Sequence, residues 1–169
     1  QAIGLTSQLN SEFKKYSDVL IDYQMGTETV GYVTKGITVL TQYLILFALE
    51  SSLRKNIIEY DVYQRIVEEL SDVPSRHRII QKETEAFYQN HKYELTSINT
   101  LFCIGFIQSY GISLEGALKM AETTKIPCMA YEAEEFVHGF NLQLTPGYTV
   151  WCIDDFSKGS DRLIQIYQA

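Results

Sequence analysis

Three charged residues stand at positions i, i+4 and i+7 in the segment Ser113 to Gly139, SLEGALKMAETTKIPCMAYEAEEFVHG: Glu115, Lys119 and Glu122. On a helix they share one side. His138 follows sixteen residues after Glu122. Two carboxylates, an amine and an imidazole form the set needed for proton transfers near neutral pH. A carboxylate beside a lysine is tuned by charge and burial, and a histidine both gives and takes a proton in this range. On spacing alone three such charges are most often a solvated helix face with an i,i+4 ion pair, and a lone histidine is most often a surface group. Both readings stand at this point.

The elements that must position these residues follow from the flanking pattern. Leu114, Ala117, Leu118 and Ala121 form a stripe beside the charges, so the helix is expected to bury that stripe. Pro127 to Tyr131 reads as a strand, and Glu132 to Phe136 as the start of a second helix that delivers His138. Glu135 on that helix either orients His138 or is a surface charge. Upstream, Ala2 to Thr6 and Asp18 to Tyr23 read as strands, with a short helix near Ser11 between them. Gly26, Thr27 and Glu28 form a turn at a strand's carboxyl end, where open α/β sheets bind ligands.

Thr34 and Lys35 open a helix to about Lys55 that is apolar on most faces and is expected to be buried. Ile58, Val62, Ile66 and Leu70 mark a next helix. Pro74, in Ser71 to Ser75, is expected to end it, giving a hairpin with a further helix to about His91. Asn99 to Phe106 is a strand, from which Tyr110 and Gly111 lead into the Glu115 helix. Tyr148 to Ile153 is another strand, Asp154 to Gly159 a loop, and Ser160 a cap for a final helix through Ile166. Strands alternating with helices predict an α/β fold with a largely parallel sheet.

Composition narrows the function classes. The net charge of −7 over 169 residues opposes non-specific nucleic-acid binding. It also means that any phosphate site must be local, built from backbone amides, a helix N-terminus or a few lysines. No run of about 18 apolar residues occurs, so no membrane span is expected. Cys103, Cys128 and Cys152 form no CxxC pair, which argues against a zinc cluster or a disulfide framework and for a reducing cytoplasm. His77 and His91 lie on charged helices with no assigned role. The 12 tyrosines are too scattered for a stacking platform, and Trp151 in a strand reads as core. The chain opens at Gln1 before a strand and ends at Ala169 inside a helical pattern, so a piece of a longer protein is expected.

The same segments resemble a known family. LEGALKMAETTKIPCMAYEAEEFVHG is similar to the second sugar-isomerase (SIS) domain of double-SIS phosphosugar enzymes. That family includes the isomerase part of glutamine–fructose-6-phosphate aminotransferase and the ketosamine-6-phosphate deglycases. The family pattern is LEGALKLKE, a strand, then GELKHG or GEYFHG, with glutamate and histidine spaced as Glu122 and His138 are here. Gly26–Thr27–Glu28 and Thr34–Lys35 resemble its GTE…STK segment. The resemblance implies three-layer, flavodoxin-like parallel-sheet domains: residues 1–56 as the end of a first SIS domain, 57–95 as connecting helices, and 96–169 as the N-terminal and central part of a second. Its phosphate loop would lie before Gln1.

Function follows from the resemblance as an expectation. Glu122 would move a proton between C1 and C2 of an open-chain sugar, His138 would assist ring opening or act as partner base, and Lys119 would hold the sugar or engage its carbonyl. Glu28, Gly31, Val33, Thr34, Lys35 and Glu115 are the expected substrate-binding residues. No cofactor or metal is called for. The expected partners are a sugar-phosphate substrate and further copies of the chain, as a homodimer or higher oligomer in which the histidine reaches a neighbouring subunit's site; nucleic acid and membrane are not expected. Four departures bear on specificity: Val33 replaces the family's serine, Glu134 its glycine, Phe140 its proline after the His-Gly, and Ala121 the aminotransferase lysine. Phe136 and Val137 before His138 suit the deglycase branch. A ketosamine-6-phosphate deglycase is therefore the first expectation, an aminotransferase-type isomerase the second, and a non-catalytic sugar-phosphate sensor the third.

Overall fold

The structure is a computed structural model that describes residues 1–156 and 158–168. The chain divides into two compact units, Gln1–Glu83 and Thr84–Ala169.

In the first unit, β1 (Ile3–Thr6) and β2 (Val19–Asp22) pair in parallel, with Ile3 opposite Val19 and Thr6 opposite Asp22. A 3-10 helix over Glu12–Tyr16 lies in the connection between them. Helix α1 (Lys35–Arg54) follows the loop that contains Gly26 to Thr34. Its expected burial is not found: only Gly36 is buried, and Ile37, Leu44, Ile45, Leu46 and Phe47 are exposed. A helix apolar on most faces needs cover on more than one side, and a two-stranded sheet offers too little surface to supply it. With 20 residues and a mean hydropathy of 1.4 in its most apolar window, α1 is long and apolar enough to cross a membrane by length and composition, a test that core helices also pass.

Helix α2 (Tyr60–Asn90) corrects a second expectation, because it runs through Pro74 as one helix of 31 residues instead of a hairpin. Proline removes one backbone donor, but local contacts hold both sides of the site. Arg76 Nε lies 2.7 Å from Asp72 Oδ2, one turn across the proline, and Ser71 Oγ donates to the Val67 carbonyl at 2.8 Å.

The second unit is a parallel three-stranded sheet in the order β4 (Cys128–Glu132), β3 (Thr100–Gly105), β5 (Tyr148–Ile153). Helix α3 (Lys92–Thr96) leads into β3. Side chains alternate along β3 as a strand requires. Phe102 and Ile104 join Ala133, Phe136 and Leu163 in one cluster, while Leu101 and Cys103 join Ala117 in another. Helix α4 (Ile107–Thr124) supplies Ala117, whereas α5 (Ala133–His138) and α6 (Ser160–Gln168) supply Phe136 and Leu163. Helices therefore cover both faces of the central strand, which is the expected three-layer α/β arrangement.

Helix α4 begins at Ile107 and takes in Tyr110 and Gly111, which were expected to lead into it. Its N-terminus fits tightly against the end of β3. A Cβ on Gly105 would lie 2.7 Å from the Ser109 backbone, so a side chain there is excluded. Ser109 Oγ accepts from the Phe106 amide at 2.9 Å and donates to the Phe106 carbonyl at 2.8 Å. Of the expected stripe only Ala117 is buried, beside Ser109 and Ser113; Leu114 and Leu118 are exposed. Small residues let the helix approach the sheet closely, and Ser113 Oγ stays satisfied by donating to the Ser109 carbonyl at 2.9 Å.

Candidate acid–base site

Helix periodicity brings Glu115, Lys119 and Glu122 together as predicted. Lys119 Nζ lies 3.0 Å from Glu122 Oε2 and 3.5 Å from Glu115 Oε1. At 100° per residue these three side chains lie roughly opposite the Ser113–Ala117 stripe, so they leave α4 on the side away from β3 and β4. They are nevertheless partly shielded, with side-chain exposures of 26% for Lys119, 29% for Glu122 and 41% for Glu115. The hydrogen bond to Glu122, reinforced by both carboxylates' charge, raises the Lys119 ammonium above the ordinary lysine range. Lys119 is therefore a cation at neutral pH that holds a carboxylate in place.

His138 is the last residue of α5 and is exposed. Glu132, the residue before α5, accepts from the Glu134 and Glu135 amides at 2.8 and 3.2 Å and so caps the helix that carries the histidine. Glu134, which replaces the family's glycine, is held by Arg162 of α6 through two hydrogen bonds of 2.6 and 2.9 Å. That pairing lowers the Glu134 carboxyl below its usual range and raises the Arg162 guanidinium. Arg162 was not singled out from sequence; only its position on the final amphipathic helix hinted at a contact. Among the described residues no hydrogen bond joins Glu135 to His138, and none joins His138 to Glu122. Between those last two runs the whole of β4, about 16 Å of extended chain.

The first unit gathers the other predicted residues. Glu28 Oε1 accepts from the Thr34 and Lys35 amides, both at 2.8 Å, and its Oε2 accepts from Gly36 at 3.0 Å. The carboxylate thus satisfies three donors at the α1 N-terminus that would otherwise lack partners. These bonds, that to Thr34 first, lower its pKa below the ordinary carboxylate value. A Cβ on Gly36 would approach Met25 Sδ to 2.8 Å and Glu28 Oε2 to 3.3 Å, so a side chain there would displace Met25 and crowd the capping carboxylate. Lys35 Nζ reaches the Thr27 carbonyl at 3.5 Å. Gly31, Val33 and Thr34 lie exposed on the intervening loop. A cavity of about 390 Å³ opens here at the carboxyl ends of β1 and β2, and Ser7, Gln8 and Tyr23 line it together with Thr27 and Glu28. Ser7 and Tyr23 each directly follow a strand, the sequence signal by which they were findable.

Cys103 is buried, and loss of solvation pushes its thiol up to about 11; Cys128 and Cys152 are raised by the same cause. These are packing residues rather than nucleophiles. Among the described residues no group of three or more His, Cys, Asp or Glu side chains is placed to hold a metal ion.

Residues 94–168 match the SIS domain family. Over that stretch the chain is similar to a SIS domain. It is 27% identical over 139 residues to glutamine–fructose-6-phosphate aminotransferase of Caldanaerobacter subterraneus subsp. tengcongensis, covering 82% of this chain and 23% of that one. The enzyme of the same name from Pseudomonas syringae pv. tomato is 32% identical over 136 residues, covering 76% and 21%. Among solved structures, a candidate phosphosugar isomerase from Clostridium difficile 630 superposes with a TM-score of 0.85 at 27% identity, covering 97% of this chain and 47% of that one. The C-terminal domain of glucosamine-fructose-6-phosphate aminotransferase from Francisella tularensis shares the fold, with a TM-score of 0.87 at 22% identity. The chain therefore spans about a quarter or less of the length of these curated relatives and about half of the solved ones. The parallel-sheet fold and the relationship to SIS phosphosugar isomerases agree with the expectation from sequence.

Proposed function

We propose that this chain belongs to an enzyme that opens a ketosamine or ketose 6-phosphate and moves a proton between C1 and C2. The observation that carries the reading is the Lys119–Glu122 pair, a partly shielded carboxylate fixed by an ammonium at 3.0 Å. In the first-choice reaction, a ketosamine-6-phosphate deglycase, Glu122 removes a proton from C1 of the open-chain substrate to give an enaminol and returns it to C2. The product is a C1 imine, which water hydrolyses to an aldose 6-phosphate and a free amine. Lys119 donates to the C2 oxygen as negative charge develops on it. His138 protonates the ring oxygen during opening.

Lys119 and Glu122 leave α4 on the side away from the sheet, and β4 separates them in sequence from His138. Both facts favour a site that His138 completes from a second copy of the chain, in a homodimer or higher oligomer. Residues 1–56 are read as the end of a first SIS domain, 57–95 as connecting helices and 96–169 as the second domain. Gly31, Val33, Thr34 and Lys35, on a loop shaped by Glu28, are proposed as sugar-phosphate contacts of the first unit, and Glu115 as the residue that holds Lys119 in the second. A second reading, the isomerase part of a glutamine–fructose-6-phosphate aminotransferase, is favoured by the names of the curated relatives. The test is to incubate the parent protein with a fructosamine 6-phosphate and, separately, with fructose 6-phosphate plus glutamine or ammonia. Glucose 6-phosphate and free amine from the first mixture support the deglycase, and glucosamine 6-phosphate from the second supports the alternative. Sugar-phosphate binding with no product in either leaves a sensor.

A further inference from the structure

The second unit contains a cavity that the acid–base site does not use. It measures about 570 Å³ and is walled by the end of α2, α3, the end of α4, β5 and the residues just before β3 and β4. It lies at the amino ends of β3 and β4, because Ile98 and Ile126, two of its walls, precede those strands. Met120 and Thr124 line it from α4, on the face roughly opposite Lys119 and Glu122. Its volume falls in the range of small-molecule sites, about 300–1,000 Å³.

The chemistry of the wall selects the occupant. Phe87, Tyr88 and Trp151 contribute aromatic surface, and Leu95, Met120 and Ile126 aliphatic surface. No carboxylate, amine, guanidinium or imidazole is among the lining groups. A charged ligand would lose its hydration without gaining a counter-charge, so a phosphosugar is excluded and a neutral molecule fits. Four hydroxyls stand in the wall, on Thr84, Tyr88, Thr96 and Thr124, and Trp151 carries an indole N–H. Thr96 Oγ1 donates to the Lys92 carbonyl at 2.7 Å and Thr124 Oγ1 to the Met120 carbonyl at 2.6 Å. Those two hydroxyls offer the cavity acceptors, while the Thr84 and Tyr88 hydroxyls and the Trp151 N–H are potential donors. We propose that this cavity is a binding site for a small, neutral, aromatic compound, separate from the acid–base site.

Trp151 is the only tryptophan of the chain, and it stands in the cavity wall. Titration with N-phenyl-1-naphthylamine, which is neutral, aromatic and has one N–H, therefore tests the proposal by energy transfer from Trp151. The expected result is a saturable, single-site signal that inorganic phosphate does not displace. Thr124→Phe and Thr84→Phe, two exposed lining positions, should each weaken binding by on the order of tenfold with circular dichroism and melting temperature unchanged. Trp151→Phe should remove the signal. Absence of saturable binding, as when another polypeptide fills the cavity, overturns the proposal. So does displacement by phosphate, or an affinity that neither threonine variant changes.

Discussion

Lys119 Nζ sits 3.0 Å from Glu122 Oε2, one turn away on α4, and 3.5 Å from Glu115 Oε1 on the turn before. The lysine is thus shared between two carboxylates and presents Glu122 in one fixed orientation. In the proposed reaction the same ammonium stabilises the oxyanion at C2. Lys119→Met should therefore lower kcat by roughly 10²-fold or more with little change in melting temperature, since partly exposed ion pairs contribute little to stability. Steady-state kinetics of the parent protein, with thermal melts of both forms, check this.

Glu28 acts first as the cap of α1. Its folded pKa is depressed, so the stabilisation it provides is present above the ordinary carboxylate value and is lost as the pH falls through the folded value. Glu28→Gln should lower the melting temperature at neutral pH. The gap from the native protein should close as the pH drops below about 4.5. A gap that stays constant with pH would show that the charge contributes nothing there.

Glu132 holds the start of α5 and so the direction from which His138 emerges. Glu132→Ala leaves the Glu134 and Glu135 amides without that acceptor and should cost about 1 kcal/mol, read by urea denaturation. Because α5 is only six residues long, the same change should also lower turnover, whereas Glu132→Asp or Glu132→Ser should restore stability in part.

Burial and a thiol pKa of about 11 make Cys103 inert. Iodoacetamide in mildly alkaline buffer should leave Cys103 unlabelled in the native protein and label it fully after denaturation, as read by peptide mass spectrometry.

Much of the architecture was legible because local pattern and packing agree. The five strands follow from short apolar runs bounded by turn residues, and the Glu115–Lys119–Glu122 cluster follows from helical spacing alone. The misreadings share a cause, which is that local signals do not reveal what lies opposite. Leu114 and Leu118 look like part of a core stripe, but of that stripe the sheet accepts Ala117, with the small Ser109 and Ser113, which permit closer approach. Pro74 is a strong stop signal, yet the Asp72–Arg76 pair spans it and α2 continues. Helix α1 reads as buried from its leucines and isoleucines, but its own unit supplies too little cover. The Glu134–Arg162 contact joins residues 28 apart in sequence, a distance that no local pattern encodes. Glu28, an expected substrate contact, has its carboxylate engaged by three backbone amides, which only the folded loop reveals.

The central claim is that Glu122 and His138 carry proton transfer on a sugar 6-phosphate. The most direct measurement is turnover of a fructosamine 6-phosphate by the parent protein and by Glu122→Gln and His138→Ala, with substrate affinity determined by calorimetry. Release of glucose 6-phosphate and amine by the native protein, with each substitution reducing kcat by roughly 10²- to 10⁴-fold while binding is kept, is the predicted result. Turnover that survives Glu122→Gln, or affinity that falls with Glu122→Gln where no turnover exists to lose, would contradict it.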